Sequence, residues 1–401
     1  MEEYKTYKLE DITKGKGCYG IAASAVPFSP SLFTYLRITD INDDGTLNKT
    51  GLMSVDDANA SNYLLEPNDI VFARTGNSTG RTYFYDGSEG KLVYAGFLIK
   101  FSLDDKKVNP RILKYYTHSK PYYDWVHSFD TGGTRGNINA KTFGNLPIVL
   151  PSRKAQDRIV DIMKSFDDKI ECNRRLNDNL LLQARALYKS WFIDFEPFKD
   201  GEFEDSELGM IPHGWSVKQL GEITTQVNEK VKERVDVKVL SPITTGELVL
   251  SEEYFTKQVF SESISKYIVV KPTEFAYNPA RVNIGSLGMN EYGFDGCVSP
   301  VYVVFRCEDD YQYFFDLFRR TENFKEEVKA RAIGGVRQSL TYKDFSLIKV
   351  VYPPIDVIHS FNQIYLRILA KTKHNDAETS RLASIRDTLL PKLMSGELKI
   401  S

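Results

Sequence analysis

From Ser152 to Phe192 the chain carries neither glycine nor proline, and two rows of positions recur at spacings of four and three. One row is Ile159, Phe166, Asn173, Leu180 and Leu187, and the other is Met163, Ile170, Asn177, Ala184 and Trp191. That is the seam of a heptad helix. The pattern returns near the C-terminus as Phe361, Ile368, Asn375, Leu382 and Leu389, flanked by Tyr365, Thr372, Thr379, Arg386 and Leu393. This second seam is patchier, and Pro391 is expected to end or kink it. Each helix runs about 40 residues, roughly 60 Å long. Matching phase predicts that the helices pack on each other, antiparallel if the halves of the chain are related by a pseudo-twofold axis. Asn173 and Asn375 would then meet near mid-seam and fix register at a cost in stability. The alternative is that either faces solvent at a frayed crossing.

The remaining segments alternate differently. "DIVFAR", "VYAGFLIKF" and "VYVVFR" are short, β-branched and aromatic-rich, as strands are. "PRILKYYTHSKPYYDWVHSF" and "DYQYFFDLFRRTENFKEEVKAR" read as helical. The fold class is therefore α+β.

The chain also repeats itself. "GGTRGNINAKTFGNLPIVLPS" from Gly132 and "GGVRQSLTYKDFSLIKVVYPP" from Gly334 align without gaps at an offset of 202 residues. The offset continues into the helices, pairing Asn173 with Asn375 and Leu187 with Leu389. Upstream it drifts, but "LEPNDIVFARTGNSTG" still resembles "VKPTEFAYNPARVNIG", and "KLEDI" resembles "KQLGEI". Repetition on this scale predicts two equivalent units, each a globular region of strands and helices followed by a long helix.

Composition leaves room for two cores: 401 residues, 42% hydrophobic and 12% aromatic. The formal charge of -2 means that any basic surface must be local. The charged N-terminus "MEEYKTYKLEDI" does not read as a signal peptide, and no apolar run approaches the roughly 20 residues of a membrane span. The four cysteines (Cys18, Cys172, Cys297 and Cys307) are scattered, which fits a cytoplasmic protein without disulfides or metal.

Catalytic signatures are missing from the sequence. "GNSTGRT" is one residue short of a phosphate loop and lacks its lysine. "YNPAR" resembles the Asn-Pro-Pro-aromatic loop of amino-methyltransferases, but lacks the second proline and the aromatic. G-x-S-x-G and H-E-x-x-H are absent, and five histidines give little acid–base material. This points to a recognition module or scaffold.

Two polar loops in each unit offer recognition chemistry. "ARTGNSTGR" presents Arg74, Thr75, Asn77, Ser78, Thr79 and Arg81 around two glycines, and its counterpart presents Asn278, Arg281, Asn283 and Ser286. "GGTRGNINAK" presents Thr134, Arg135, Asn137, Asn139 and Lys141; its twin presents Arg337, Gln338, Ser339, Thr341 and Lys343. Arginine bonds guanine bidentately, asparagine bonds adenine, and lysine holds phosphate. A shared frame with differing polar residues is the pattern of one reader tuned to two sequences. The competing interpretation is glycine turns with ordinary surface polars.

The motifs "LPIVLPSRKAQDRIVDIM", "KIECNRRLNDNLLLQARALYKSWFIDFEPF", "LGMIPHGWSVKQLGEI" and "TLLPKLMSGELKI" resemble those of the specificity subunits of type I restriction-modification systems. The resemblance covers the full length. It implies target recognition domains at 1–150 and 196–352, and conserved helices at 151–195 and 353–401. Each domain would read one half of a bipartite, asymmetric double-stranded DNA site, with the antiparallel helices setting the spacer. Two modification subunits carrying S-adenosylmethionine would dock on the helical regions and methylate adenines. ATP-driven, Mg-dependent restriction subunits would join them, and the chain itself would be non-catalytic. One departure is that the first domain lacks the "IPHGW" lead-in of the second. Trp191, Phe192, Asp194 and Phe195 would pack against a modification subunit or, alternatively, beneath the second domain. A peptide-binding scaffold remains the other functional class.

Overall fold

The computed structural model describes residues 4–130, 136–255, 260–261, 263–332 and 339–398. It divides into two compact units: unit 1 is Met1–Arg174 with Asp376–Ser401, and unit 2 is Arg175–Asn375. The two long helices, Arg153–Phe192 and Ile355–Ser395, each contribute a segment to both units. Compactness therefore divides mid-helix rather than where the helices begin.

The same strand plan is built twice. In unit 1 a four-stranded antiparallel sheet runs Cys18–Tyr19, Leu98–Ser102, Asp69–Ala73, Thr82–Tyr85. Unit 2 repeats the order with Thr224–Val227, Val303–Cys307, Phe275–Tyr277, Leu287–Met289. A second four-stranded sheet in each unit contains one parallel pair, Phe33–Leu36 with Leu92–Tyr94 and Lys238–Pro242 with Gly296–Val298. "VYAGFLIKF" is thus two strands in different sheets, parted by the turn at Gly96–Phe97.

A two-stranded ribbon closes each unit. Lys5–Lys8 pairs with Pro147–Leu150, and Ser216–Gln219 pairs with Lys349–Tyr352. One further backbone bond extends each ribbon, Leu9 N–H to the Leu146 carbonyl (3.0 Å) and Leu220 N–H to Ile348 (2.8 Å). In unit 1 the first strand is thereby fastened to the last, and in unit 2 the strand that follows the hairpin Phe203–Ser206/Gly209–Pro212 is, each directly before a long helix starts.

The two expected helical runs are each broken in the same place. Ile112–Tyr116 and Lys120–His127 part at Ser119, with Pro121 opening the second helix. Gln312–Phe318 and Glu322–Arg331 part at Thr321, whose hydroxyl caps the Phe324 N–H. Proline and an N-cap hydroxyl both start helices rather than continue them.

Segments of both long helices complete each core. In unit 1, Ile159 and Met163 from the first and Leu390 and Leu393 from the second join Leu9, Phe72, Phe101, Tyr122 and Phe143. In unit 2, Ala184, Tyr188, Phe192, Phe361 and Tyr365 join Phe275, Tyr277, Phe305, Phe314 and Phe345. Every listed position of both heptad rows is buried or half-buried. Within each unit the two segments run antiparallel: Asp167 meets Arg386 and Asn173 meets Glu378, while Asn177 meets Asn375. Both seam asparagines are buried: Asn173 donates to Glu378 (2.8 Å) and Asn375 donates to Asn177 (2.8 Å). Neither faces solvent.

Pro391 does not end the second helix, which continues to Ser395. Leu390 and Leu393 on either side of it are held in the unit 1 core while Pro391 itself is exposed, so packing of the last turn outweighs the lost N–H.

The aromatic block packs beneath the second domain, one of the two placements expected for it. Phe192 is buried, Trp191 and Phe195 are half-buried, and their rings lie against Trp215, Phe198, Phe314 and Phe361 of unit 2. Asp194 is paired with Lys189 (2.7 Å). These side chains are used within the fold, and the "IPHGW" lead-in supplies Trp215 to receive them.

Asp167 is the polar anchor of the unit 1 helix pair. It accepts from Lys114 (2.6 Å), Tyr115 (3.0 Å) and Arg386 (3.0 Å). Burial pushes its carboxyl upward, but Lys114 and Arg386 outweigh that and hold it below the ordinary aspartate value of 3.8. A depressed carboxyl stabilises fully above its unfolded pKa, and the contribution fades as pH falls through the folded value. Asp167→Asn should therefore lower stability by about 1.5–3 kcal/mol at pH 7, and the gap to the parent should shrink below about pH 4. Urea unfolding at both pH values checks this; a gap independent of pH would refute it. Gly285→Ala should be costlier than its size suggests. Gly285 has φ +100°, and a Cβ there would lie 2.5 Å from the Thr244 carbonyl oxygen. A loss of about 1–3 kcal/mol is expected, against less for Gly51→Ala, where φ is +75° but the space is open. Equal unfolding midpoints for the two variants would contradict the clash.

Candidate nucleic-acid interface

The two polar loops of unit 1 come from separate parts of the chain and are joined by backbone. One is the hairpin turn between Asp69–Ala73 and Thr82–Tyr85, tightened by a 3-10 turn at Gly76–Ser78. The other leads into the short helix Ala140–Gly144. The Ile138 N–H donates to the Arg74 carbonyl (3.0 Å), and the Thr79 hydroxyl reaches the Gly136 carbonyl (3.3 Å). Ile138 is buried, pinning a loop whose neighbours Asn137 and Asn139 are exposed.

Unit 2 repeats the joint. Its hairpin turn carries a 3-10 turn at Val282–Ile284, and the Leu340 N–H donates to the Pro279 carbonyl (3.1 Å). Leu340, like Ile138, is fully buried. Both hairpins end on a glycine of positive φ, Gly80 at +87° and Gly285 at +100°. The two sequence-predicted loops thus form one composite surface in each unit.

The individual residues separate into different jobs. Thr134, Arg135, Arg337 and Gln338 lie outside the described residues. Arg74, half-buried, lies over two aromatic rings, with its guanidinium carbon 5.2 Å from the centre of Tyr19 and 5.9 Å from that of Phe97. Thr75 and Asn77 flank it on the turn, half-buried and exposed. Lys141 and Lys343 are exposed and make no ion pair with described residues, so each leaves a free positive charge on its loop. Arg281 is exposed beside half-buried Asn283, and Ser339 is half-buried.

Other predicted contacts turn out to hold the loops together. Ser286 is buried and donates to the Pro242 carbonyl (2.8 Å); with no free face it is a brace, not a contact residue. Buried Ser78 lies within the 3-10 turn. Arg81 ion-pairs Asp43 (2.6 Å) and donates to the Ile41 carbonyl (3.1 Å), so its charge is already compensated. Asn139 and Thr341 cap equivalent short helices, accepting from the N–H of Thr142 and of Asp344. Asn278 closes a turn by accepting from Ala280 N–H (3.0 Å). Capping uses the side-chain oxygen, which is then unavailable as an acceptor.

Sequence reasoning missed Tyr19 and Phe97, 43% and 55% exposed. The signals were Gly96 directly before Phe97 at a turn and the glycines on either side of the two-residue strand Cys18–Tyr19. It also missed a basic cleft of about 510 Å³ beside the unit 2 hairpin turn. Arg319 and Arg320 line it but are tied to buried Asp316, and Lys325 pairs with Glu322 (2.6 Å). Arg185 and Lys329 complete the lining without an ion pair to described residues. The cleft therefore carries unneutralised positive charge although the chain is slightly acidic.

Among the described residues no group of three or more His, Cys, Asp or Glu side chains could hold a metal ion. His118 is pushed down to about 4, chiefly by burial, and its ring contacts the Tyr123 hydroxyl (3.2 Å). It is neutral at pH 7 and packed. Among the described residues no helix is long and apolar enough to cross a membrane.

Comparison with known proteins places this architecture. The family model described as "Type I restriction modification DNA specificity domain" matches residues 1–182. The chain is 26% identical over 304 residues to the type I restriction enzyme MjaIX specificity subunit of Methanocaldococcus jannaschii, covering 72% of this chain and 69% of that one. It is 22% identical to the HindI specificity subunit of Haemophilus influenzae over 99% of this chain and 100% of the relative. The crystal structure of a type I restriction-modification S subunit from M. genitalium shares the fold, with TM-score 0.56 at 15% identity over 100% of this chain and 97% of that one. Doubled domains, paired long helices and these matches make the chain similar to the specificity subunits of type I restriction-modification systems.

Proposed function

We propose that this chain is the non-catalytic DNA-recognition subunit of a type I restriction-modification complex, each unit reading one half of a bipartite, asymmetric site. The observation that carries this is the duplicated joint. Equivalent backbone bonds, Ile138 to Arg74 and Leu340 to Pro279, unite equivalent loops whose outward side chains differ. Phosphate contacts position a protein on DNA and base contacts specify sequence. Lys141, Lys343, Arg185 and Lys329 suit the first task, and Arg74, Asn77, Asn137 and Arg281 suit the second.

Two modification subunits supply S-adenosylmethionine and methylate adenine, and restriction subunits supply ATP- and Mg-dependent cleavage. The long helices set the spacer between half-sites. Leu176, Leu181 and Leu182 are 41–64% exposed on the first long helix, which supports docking of a protein partner there. The complex works in the cytoplasm, where its DNA is.

Together with its modification subunit the chain should retard DNA carrying its site, and the affinity should fall steeply with salt. A salt-independent complex, or one formed only with peptides, would favour a scaffold. The purified chain alone should transfer no methyl group. Arg281→Ala should relax base choice in one half-site by about 1–3 kcal/mol and leave the other intact. Methylation mapping reads both half-sites at once, and equal loss in the two would end the two-reader proposal.

A further inference from the structure

We propose that Tyr19 and Phe97 form an aromatic clamp that positions Arg74 to read a guanine in the half-site bound by unit 1. The inference rests on the DNA-reading function above and deepens it. It names two residues outside the polar loops and the base they serve.

The arginine is held on all sides except the one facing out. Its N–H donates to the Phe97 carbonyl (3.1 Å) and its own carbonyl accepts from Ile138 (3.0 Å), so its backbone is fixed between two segments. Its guanidinium carbon lies within 6 Å of both ring centres, the range of cation–π attraction. Tyr19 is fixed in turn, because its hydroxyl accepts from the Ala140 N–H (3.1 Å) at the start of the second loop's helix. The Nε of Arg74 is buried without a hydrogen-bond partner, and the side chain makes no ion pair with described residues. An aromatic clamp costs the arginine none of its charge, since rings do not neutralise it as a carboxylate would.

This is the arrangement of a reader rather than of a phosphate anchor. A phosphate is met well by a mobile charge on a long stem, as at exposed Lys141. A guanidinium with restricted rotamers presents a planar fork, and the O6 and N7 of guanine are the planar acceptor pair that matches it. Arg81, the nearby arginine of the same hairpin, is spent on Asp43 and cannot substitute.

Unit 2 keeps the ring and changes the reader. Tyr302 precedes the strand Val303–Cys307 as Phe97 precedes Leu98–Ser102. Pro279 accepts the loop bond that Arg74 accepts in unit 1, and the Tyr302 hydroxyl is bonded by Asn278 instead. The clamped arginine therefore belongs to unit 1 alone.

The test uses the complex of the full chain with its modification subunits. Competition binding is measured against duplexes carrying its methylation-mapped site, with each base pair changed singly. Arg74→Lys, Tyr19→Leu and Phe97→Leu should each lose about 10- to 100-fold discrimination at one shared G·C pair of one half-site. Discrimination in the other half-site should be unchanged, which also reports that the variants are folded. Tyr19→Phe keeps the ring and should keep most of the discrimination. The clamp is overturned if Arg74→Lys retains guanine preference. It is equally overturned if Arg74→Ala weakens every sequence alike and lowers the salt slope by about one, the mark of a phosphate contact. Failure of the unsubstituted complex to prefer its site would instead bring down the DNA-reading function itself.

Discussion

The structure depends on the ribbon that ties an early strand of each unit to its last. Lys5–Lys8 against Pro147–Leu150, and Ser216–Gln219 against Lys349–Tyr352, bring the chain back to its point of entry after well over a hundred residues. Closing so long a loop costs entropy, though the cost rises only slowly with length. Once it is closed, the long helix leaves from a fixed place and in a fixed direction. The heptad rows then meet the domain core rather than solvent, which is why Ile159 and Met163 in unit 1 and Phe361 and Tyr365 in unit 2 are buried.

The same closure explains how two distant loops become one surface. The hairpin turn is part of the main sheet, and the second loop precedes the ribbon strand. Fastening that strand draws the loop over the sheet edge, where Ile138 or Leu340 plugs into the body and the polar neighbours remain outside. Shared residues make the joint and unshared ones face out. Variation of the outward residues therefore leaves the core contacts untouched.

Much of this was legible in the sequence. The period of four and three located both long helices, and the repeat matched the strand plan that recurs in the two units, though not their division in mid-helix. It also paired the loops correctly, since residues 202 to 205 apart turn out to make the same backbone bonds. What escaped was the use of each polar side chain. Ser286 and Arg81 look like any surface donor in the sequence, yet one is a buried brace and the other an ion-pair partner of Asp43. Such roles depend on residues about 40 positions away, which local pattern does not reveal. Trp191, Phe192 and Phe195 show the converse. Exposed-looking aromatics after a helix were claimed by Trp215, which arrives only through the lead-in to the next unit. Pro391 shows that a strong local rule yields when leucines on either side are anchored.

The division of the long helices between units bears on the order in which the protein is made. Unit 2 is a single continuous stretch, Arg175–Asn375, and holds everything its core needs. Unit 1 is split by that stretch, so its earlier segment lacks Leu389, Leu390 and Leu393, and Asp167 lacks Arg386, until the chain beyond Asn375 is made. At roughly 5–20 residues per second the ribosome takes on the order of 10–40 s to cover the intervening chain. During that interval the unit 1 core lacks its C-terminal leucines while unit 2 can already close. Of the two units, the one begun earlier is thus the one completed later.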